Sequence, residues 1–386
     1  MRTICLLLAL TGLSIAASLA ACGPSGVQVP TAVRIGGQCM GTSWSAVVTL
    51  QPGERAERVG ALVQDRLDEV DRALSTWKED SDLSRLNRAA PDAREEAAAD
   101  TLEVLRLGRE LWEATGGAFD PSVGPLTRLW GFGSYEVEQT APTPEKVATA
   151  LEQVGLDDLL MGEPGIVVQG TEEAEVAGGW IARSRDDLEI DASAVAKGYG
   201  VDVAAAALLA SGHDEFMIEV GGELVLSGRN PEGIPWRIGV DDPLPPAGSD
   251  PLSPMALAPR PPIARLSLTR GGVATSGDYR NVRRAGSRLV SHVIDPRTGY
   301  PIDHDLASAT VIAPTCAEAD GLATATMVLG PIEGLELLEA LEGVEGYLLV
   351  RTQDAEAPIE AIMTSGMAAV LMDGPGARRG PRQRGR

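Results

Sequence analysis

The sequence predicts an α+β fold, a largely antiparallel or mixed sheet with helices packed on one face. Three observations predict it. Short stretches of alternating apolar and polar residues recur, among them Trp44–Leu50, Phe216–Ser227 and Ile263–Thr269, which is the period of half-buried strands. Glu54–Leu74 instead places Val59, Leu62, Val63, Leu67, Val70 and Leu74 at helical spacing. No internal repeat divides the 386 residues, so the body reads as one large unit with room for two lobes.

The chain opens on a secretory signal. Arg2 is followed by the apolar run Ile4–Ala17 and then by Leu19-Ala20-Ala21-Cys22. Residues 1–21 are expected to be the signal peptide, cleaved before Cys22. The Cys22 thiol is then expected to carry lipid, which tethers a protein without spanning the bilayer. This predicts an extracytoplasmic protein anchored to a bacterial membrane, at its periplasmic face or the cell surface. No later run reaches the ~20 apolar residues of a membrane-spanning helix. Residues 22–36 read as the lipidated N-terminus and a linker, and 37–373 as the folded domain.

The elements follow in order. Gln38–Thr42 leads into the strand Trp44–Leu50, and the helix to Leu74 ends at Ser75-Thr76-Trp77. Leu102–Trp112 is a second amphipathic helix, closed by Gly116-Gly117. Ala118–Gly133 is dense in Gly, Pro and aromatics with no period, the composition of a binding loop or a packed structural one. Pro144–Val154 is a short helix and Ile166–Asp187 a hairpin. Leu188–Asp191 ends a strand and runs into a helix that continues to Leu209. Such a junction presents free N–H groups to an anion, and Lys197 lies in its first turns. Gly221-Gly222 inside Phe216–Ser227 marks close backbone approach. Asp241–Pro262, rich in Pro and Ala, reads as an exposed insertion. Gly272–Tyr279 is a strand end and turn leading to a strand at Leu289–Ile294, then the turn Asp295–Gly299. Ala307–Ala313 is a strand followed by a helix from about Thr315. Pro at the first turn starts another helix at Pro331–Leu341, and Gly346–Arg351 and Pro358–Met363 are the last strands. The basic tail 374–386 is expected to be disordered.

Charge limits the partners. The formal net charge is -22, and the tail holds five arginines and no acid, so the body is more acidic still. Such a body does not bind nucleic acid by its field. It also repels an anionic nucleotide unless a cation or backbone amides neutralise the phosphates. Of four cysteines, Cys39 and Cys316 remain in the mature body. They pair in an oxidising compartment or stand as buried thiols.

Chemistry concentrates between His292 and Thr326. His292 is one of three histidines, and its ordinary pKa suits a general base near neutral pH. Asp320 and Thr324 stand four apart on a helix, so both oxygens share a face. Carboxylate and hydroxyl oxygens suit Mg²⁺ or Ca²⁺ better than zinc.

Six ordered motifs carry a resemblance: MGT at Met40, STW at Ser75, FDPSVGPL with WGFG from Phe119, ID…AKGYGVD from Ile190, ATSGDY from Ala274, and HVIDPRTG followed by EADGLAT from His292. Together they resemble the ApbE-type flavin transferases, the FAD:protein FMN transferases, from Met40 to about Thr364. The resemblance implies a T-fold-like α+β architecture with FAD bound between two lobes and Mg²⁺ at the pyrophosphate. It implies FAD contacts at Met40, Trp77, Ala118, Phe119, Asp120, Asp191, Lys197 and Ile294. It implies metal ligation by the Asp320 and Thr324 side chains and the carbonyls of Ala194 and Ala323, and catalysis by His292. Apart from the resemblance, Asp278 is a second catalytic candidate, for orienting His292 or Lys197, or else a turn-forming residue. The activity implied is transfer of FMN from FAD to a Thr or Ser hydroxyl of an acceptor protein, expected to be a subunit of a membrane redox complex, with release of AMP. An FAD pyrophosphatase and a non-catalytic FAD-binding lipoprotein are the competing readings. Three departures stand out. Trp77 replaces a frequent Tyr, Ser193-Ala194 a frequent Gly-Gly, and the 241–262 insertion has no family counterpart.

Overall fold

The structure, a computed structural model, describes residues 31–132, 140–163, 165–169, 172–176, 178–246, 249–250, 252–253, 260–375 and 377–379. The expected signal and Cys22 lie outside the described residues, as does Gly133 of the WGFG motif.

The chain begins with the hairpin β1 (Thr31–Cys39) and β2 (Thr42–Leu50), then α1 (Ala56–Leu74) and α2 (Asp82–Arg88). A peripheral layer follows: β3 (Glu95–Glu96), α3 (Ala99–Ala114), α4 (Gly124–Leu129), α5 (Pro144–Leu151), β4 (Leu159–Gly162), the hairpin β5 (Gly165–Gln169) and β6 (Glu172–Val176), and β7 (Trp180–Arg183). Next come α6 (Ser193–Ala210), β8 (Phe216–Val220), β9 (Glu223–Ser227), β10 (Trp236–Val240), β11 (Ala264–Leu268) and β12 (Arg270–Gly277). The last part holds β13 (Val282–Ala285), β14 (Arg288–Ser291), β15 (Leu306–Ala313), α7 (Cys316–Ala340), β16 (Glu345–Arg351), β17 (Ile359–Met363), β18 (Leu371–Asp373) and β19 (Ala377–Arg379).

Nine strands form the central sheet in the order β1-β2-β8-β9-β12-β15-β16-β17-β19. Its described pairings are antiparallel except β17 with β19, as the alternating strands predict. One face carries α1, α6 and α7, which bury Val63, Leu67, Val201, Leu208, Leu322 and Leu338 against Ala46, Ile218 and Val311. The other face is covered by the three-stranded sheet β10-β11-β18, whose Trp236, Ile238 and Leu266 pack on Tyr347, Leu349 and Ala361. Covered from both sides, β15 is buried along its whole length. A one-sided arrangement of helices is therefore correct, but the opposite face is closed by a second sheet.

Helices α6 and α7 are long and apolar enough in composition to cross a bilayer. Their buried residues occur around most of the helix surface, because both are core helices wedged between sheet and neighbours. They touch closely at Gly198, where an added Cβ would lie 2.5 Å from the Cys316 carbonyl oxygen and 2.8 Å from Ala317 Cα. Helix α7 breaks at Gly330, whose φ of +82° is left-handed and precedes Pro331. This accounts for the two helices read from the sequence.

Four boundaries differ from the reading of the sequence. The strand β1 starts at Thr31, inside the stretch assigned to a linker. Its small residues Gly36 and Gly37 hid the alternation, yet the edge of the sheet supplies its hydrogen bonds. Phe216–Ser227 is two strands, with Gly221-Gly222 forming the turn between them at φ +62° and +113°. The expected strand Leu289–Ile294 stops at Ser291, and Ile294 makes only a single bridge to Pro301. Within the tail expected to be disordered, residues 377–379 add a strand beside β17.

Cys39 and Cys316 are both free and buried. Burial pushes the Cys39 thiol up to about 12 and the Cys316 thiol well above its ordinary value, so neither is a reactive thiolate.

The contact at Gly198 gives a stability prediction. Gly198→Ala puts a methyl group against backbone atoms that cannot rotate away. A loss of about 1–3 kcal/mol in urea unfolding is expected, and an unchanged midpoint would show that the two helices tolerate separation.

Candidate active site

The motifs that are far apart in sequence meet at one cavity of ≈ 680 Å³. It opens beside the N-terminal half of α6, the middle of α7, the ends of β9 and β12, the loop 118–132 and the segment after β14. Of the residues expected to bind or react, Ala118, Phe119, Asp120, Asp191, Ala194, Lys197, His292, Ile294, Asp320 and Thr324 all line it.

Local hydrogen bonds hold the cavity walls. Asp120 Oδ1 accepts from the Ser122 amide at 2.7 Å and its hydroxyl at 2.6 Å. Burial still raises the Asp120 pKa. Asp191 Oδ1 accepts from the Ser193 amide at 2.8 Å, and the Asp191 amide donates to the Pro121 carbonyl at 2.7 Å. Leu188–Asp191, expected to end a strand, pairs with no strand among the described residues and enters α6 as a loop, and these two bonds tie that loop and the α6 start to the Asp120-Pro121 turn. Trp130 Nε1 donates to the Gly299 carbonyl at 2.7 Å and its ring meets Tyr300 edge-on at 5.9 Å. The aromatic loop is thus fixed to the Asp295–Gly299 turn.

His292 sits where β14 ends. Its amide donates to the Asn281 carbonyl at 3.0 Å, and Nδ1 lies 3.2 Å from that same oxygen. A carbonyl only accepts, so Nδ1 carries the proton and Nε2 keeps its lone pair. Burial is the largest effect on the ring and lowers its pKa, against smaller raising effects of the Asn281 carbonyl and the Asp278 charge. The imidazole is therefore neutral at pH 7.

Charge is concentrated at the other side. Lys197 Nζ is 2.8 Å from Glu223 Oε1 and 3.6 Å from Asp320 Oδ2. Asp320 Oδ2 also accepts from the Gly198 amide at 3.2 Å, which the close α6–α7 contact brings into reach. Glu223 is 5% and Asp320 3% exposed. Burial raises both carboxyl groups, Asp320 raises Glu223 further, and Lys197 counters both. One ammonium facing two carboxylates leaves one negative charge uncompensated. Glu223 Oε2 is buried with no hydrogen-bond partner. Thr324 Oγ1 is 3.2 Å from Ser276 Oγ. The donors here are all oxygens, and among the described residues no group of three His, Cys, Asp or Glu gathers. An all-oxygen set with a surplus negative charge fits a hard divalent cation.

Four expected residues lie elsewhere. Met40, at φ +49°, packs on α6, its Sδ 3.0 Å from the place of a Gly200 Cβ. Trp77 stands 74% exposed on the turn after α1. Ala323 is fully buried on the core side of Thr324. Asp278 accepts from both terminal nitrogens of Arg351 at 2.7 Å each and lines a neighbouring cavity of ≈ 320 Å³, so it does not reach the His292 ring's open side by hydrogen bonding. Arg351 lies 73 residues away, and only folding supplies this partner.

The structure adds Glu223, Ser276, Arg280 and Asn281 to the lining. The Gly221-Gly222 pair is the one sequence signal for Glu223. A Cβ at Gly221 would stand 2.9 Å from Thr42 Cγ2 and 3.4 Å from Lys197 Cδ, so the close approach expected there is made by Thr42 and the Lys197 stem. Arg280 crosses the mouth to Asp241 of the insertion at 2.6 Å.

The ApbE family profile matches residues 40–348. An FAD:protein FMN transferase of Klebsiella pneumoniae (strain 342) is 36% identical over 321 residues, covering 83% of this chain and 85% of that one. The Escherichia coli (strain K12) protein of the same name is 34% identical over 323 residues, with coverage of 83% and 84%. Among solved structures, the flavin transferase ApbE from Vibrio cholerae superposes with a TM-score of 0.73 at 31% identity, over 89% of this chain and 100% of that one. The apo flavinyl transferase ApbE of Pseudomonas stutzeri gives 0.69 at 29% identity, with coverage of 89% and 98%.

The His292 geometry predicts its titration. In NMR the ring is expected to titrate below the ordinary histidine value. Protonation then favours the unfolded chain, so the stability contributed by the neutral ring is complete above that ordinary value. It is lost as pH falls through the lowered one. A ring titrating above the ordinary value would overturn the assignment of a neutral, burial-dominated imidazole.

Proposed function

Because this chain belongs to the ApbE family, it is a transferase that moves FMN from FAD onto a protein, and we propose that the acceptor group is a Ser or Thr hydroxyl and that AMP leaves. The observation that carries this reading is the fixed tautomer of His292 in the same cavity as Lys197, Asp320 and Thr324. A base and a polar, cation-suited cluster flank one space, as phosphoryl transfer requires.

In the proposed reaction the hydroxyl oxygen attacks the flavin-side phosphorus. A new P–O bond forms, the P–O bond to the adenylate breaks, and AMP departs with the electron pair. His292 Nε2 takes the hydroxyl proton. Its lowered pKa leaves it unprotonated at neutral pH, and the Nδ1–Asn281 bond fixes its direction. Phe119 and Ile294 offer apolar walls to the flavin ring. Lys197 stands on the phosphate side, at the first turns of α6. The side chains of Asp320 and Thr324, with the carbonyls of Ala194 and Ala323, would hold Mg²⁺. That ion supplies charge neutralisation to the pyrophosphate when bound. In a chain of net charge -22, such neutralisation also lets an anionic substrate enter. Met40 and Trp77 are assigned to FAD by family likeness alone, and exposed Trp77 has an indole face free to stack.

We also propose that Cys22 carries the lipid anchor, on the Leu19-Ala20-Ala21-Cys22 junction. Only residues 23–30 separate it from β1, a reach of at most about 30 Å. The catalytic domain would then work close to the membrane and on acceptors held there, a membrane redox subunit being the expected kind.

Two experiments test these readings. His292→Ala is expected to keep its FAD affinity in a fluorescence titration while AMP release in the presence of acceptor drops roughly 10²–10⁴-fold. Loss of FAD binding would make His292 a flavin contact, and AMP released by the parent enzyme without any acceptor would make the enzyme a hydrolase. Cys22→Ala is expected to abolish lipid labelling and move the protein out of the membrane fraction. Persistent labelling would sink the anchor assignment.

A further inference from the structure

Glu223 has no role in the reaction as described, yet it is among the most deeply buried charged groups of the cavity. Its Oε1 takes a hydrogen bond from Lys197 at 2.8 Å, whereas Lys197 meets Asp320 only at 3.6 Å, beyond hydrogen-bond range. Its Oε2 is unpartnered. The ammonium thus has one strong anchor with a spare acceptor on it, and one looser contact with the carboxylate that the cation needs. Asp320 does not depend on Lys197 for its orientation, because the Gly198 amide also holds its Oδ2. The Lys197 stem runs beside Gly221, whose missing side chain leaves it room. Nearby Asp202 accepts from the amides of Cys316 and Ala317 and adds to the negative field without contributing a cation.

We propose that Lys197 is a resident counter-ion for Asp320 and Glu223 in the cation-free enzyme, and that Glu223 is the positioning residue that draws the ammonium off Asp320 when a divalent cation binds. The arrangement resembles an ion exchange with one ion tethered. With Asp320 committed to a cation, the ammonium would pivot on Glu223, using both carboxylate oxygens, toward the phosphate side of the cavity. Two charges of the same sign are thereby kept from competing for one carboxylate. Buried carboxylates left unpaired are costly, which explains why the chain keeps a lysine there at all. This inference rests on the reading that Asp320 ligates the cation.

The test uses Mn²⁺ alone, without FAD or acceptor, with free Mn²⁺ measured by electron paramagnetic resonance. Lys197→Met removes the competing charge and is expected to tighten Mn²⁺ binding by about tenfold or more. Glu223→Gln leaves the ammonium with Asp320 as its only charged partner and is expected to weaken Mn²⁺ binding about tenfold. If Lys197→Met does not fold, the double variant Lys197→Met/Glu223→Gln removes charge of both signs. It should bind Mn²⁺ about tenfold more tightly than Glu223→Gln alone. Mn²⁺ affinity that is unchanged or weaker after loss of Lys197, in both backgrounds, overturns the exchange. Affinity unchanged in Glu223→Gln overturns the positioning role. Asp320→Asn separates the two levels: if it binds Mn²⁺ as tightly as the parent enzyme, the cation site itself is elsewhere, and the inference falls with it.

Discussion

The closeness of α6 and α7 is the constraint on which the site depends. At Gly198 the two helices approach until no Cβ fits between them. That approach brings the Gly198 amide to Asp320 and the Lys197 ammonium into the field of the same carboxylate. Both helices are apolar in composition because both bury residues around most of their surface. The central sheet presses them together from one side and α1 and α3 border them from the others. Packing of the core therefore fixes the spacing of the polar cluster. A site built on two rigid helices holds its groups more closely than loops would.

The two sides of the cavity solve opposite electrostatic problems. On the Asp320 side, buried carboxylates outnumber their ammonium and the surplus favours a cation. On the His292 side, burial favours the neutral ring, and a backbone carbonyl decides which nitrogen carries the proton. Neither side depends on a long-range field. The field of the whole chain, strongly acidic, opposes an anionic substrate, so local positive charge has to be supplied within the cavity. Lys197 is 30% exposed and Arg280 reaches the mouth; these two, with the amides of the α6 start, supply what the chain itself offers there among the described residues.

The remaining parts act as braces. Trp130 bolts the aromatic loop to the Asp295–Gly299 turn, and Asp191 bolts it to α6. The small sheet β10-β11-β18 backs the central sheet, so that β15 is rigid on both faces. From that layer Asp241, first residue of the Pro-rich insertion, reaches Arg280 at the cavity mouth. The described part of the insertion thereby reaches the site through an exposed ion pair, an interaction of small energy but definite location.

Sequence alone determined the elements and the chemical candidates, because both are local properties. Alternation at Trp44–Leu50 and the helical period of Glu54–Leu74 are written within a few turns of chain, and His292, Lys197, Asp320 and Thr324 were legible as residue types within ordered motifs. The close approach at Gly221-Gly222 was legible too, though not that it is a hairpin turn. Tertiary structure alone decided which partner each group has. Asp278 proved to belong to Arg351, and Glu223 to Lys197, pairs separated by 73 and 26 residues. Cys39 and Cys316 proved to be separate buried thiols. The strand β1 and the short strand in the tail needed an edge to pair with before their weak patterns meant anything. The physical reason is common to all of these. A side chain's period and acidity come from its own bonds, but its partner is set by the packing of a sheet whose register no local stretch contains.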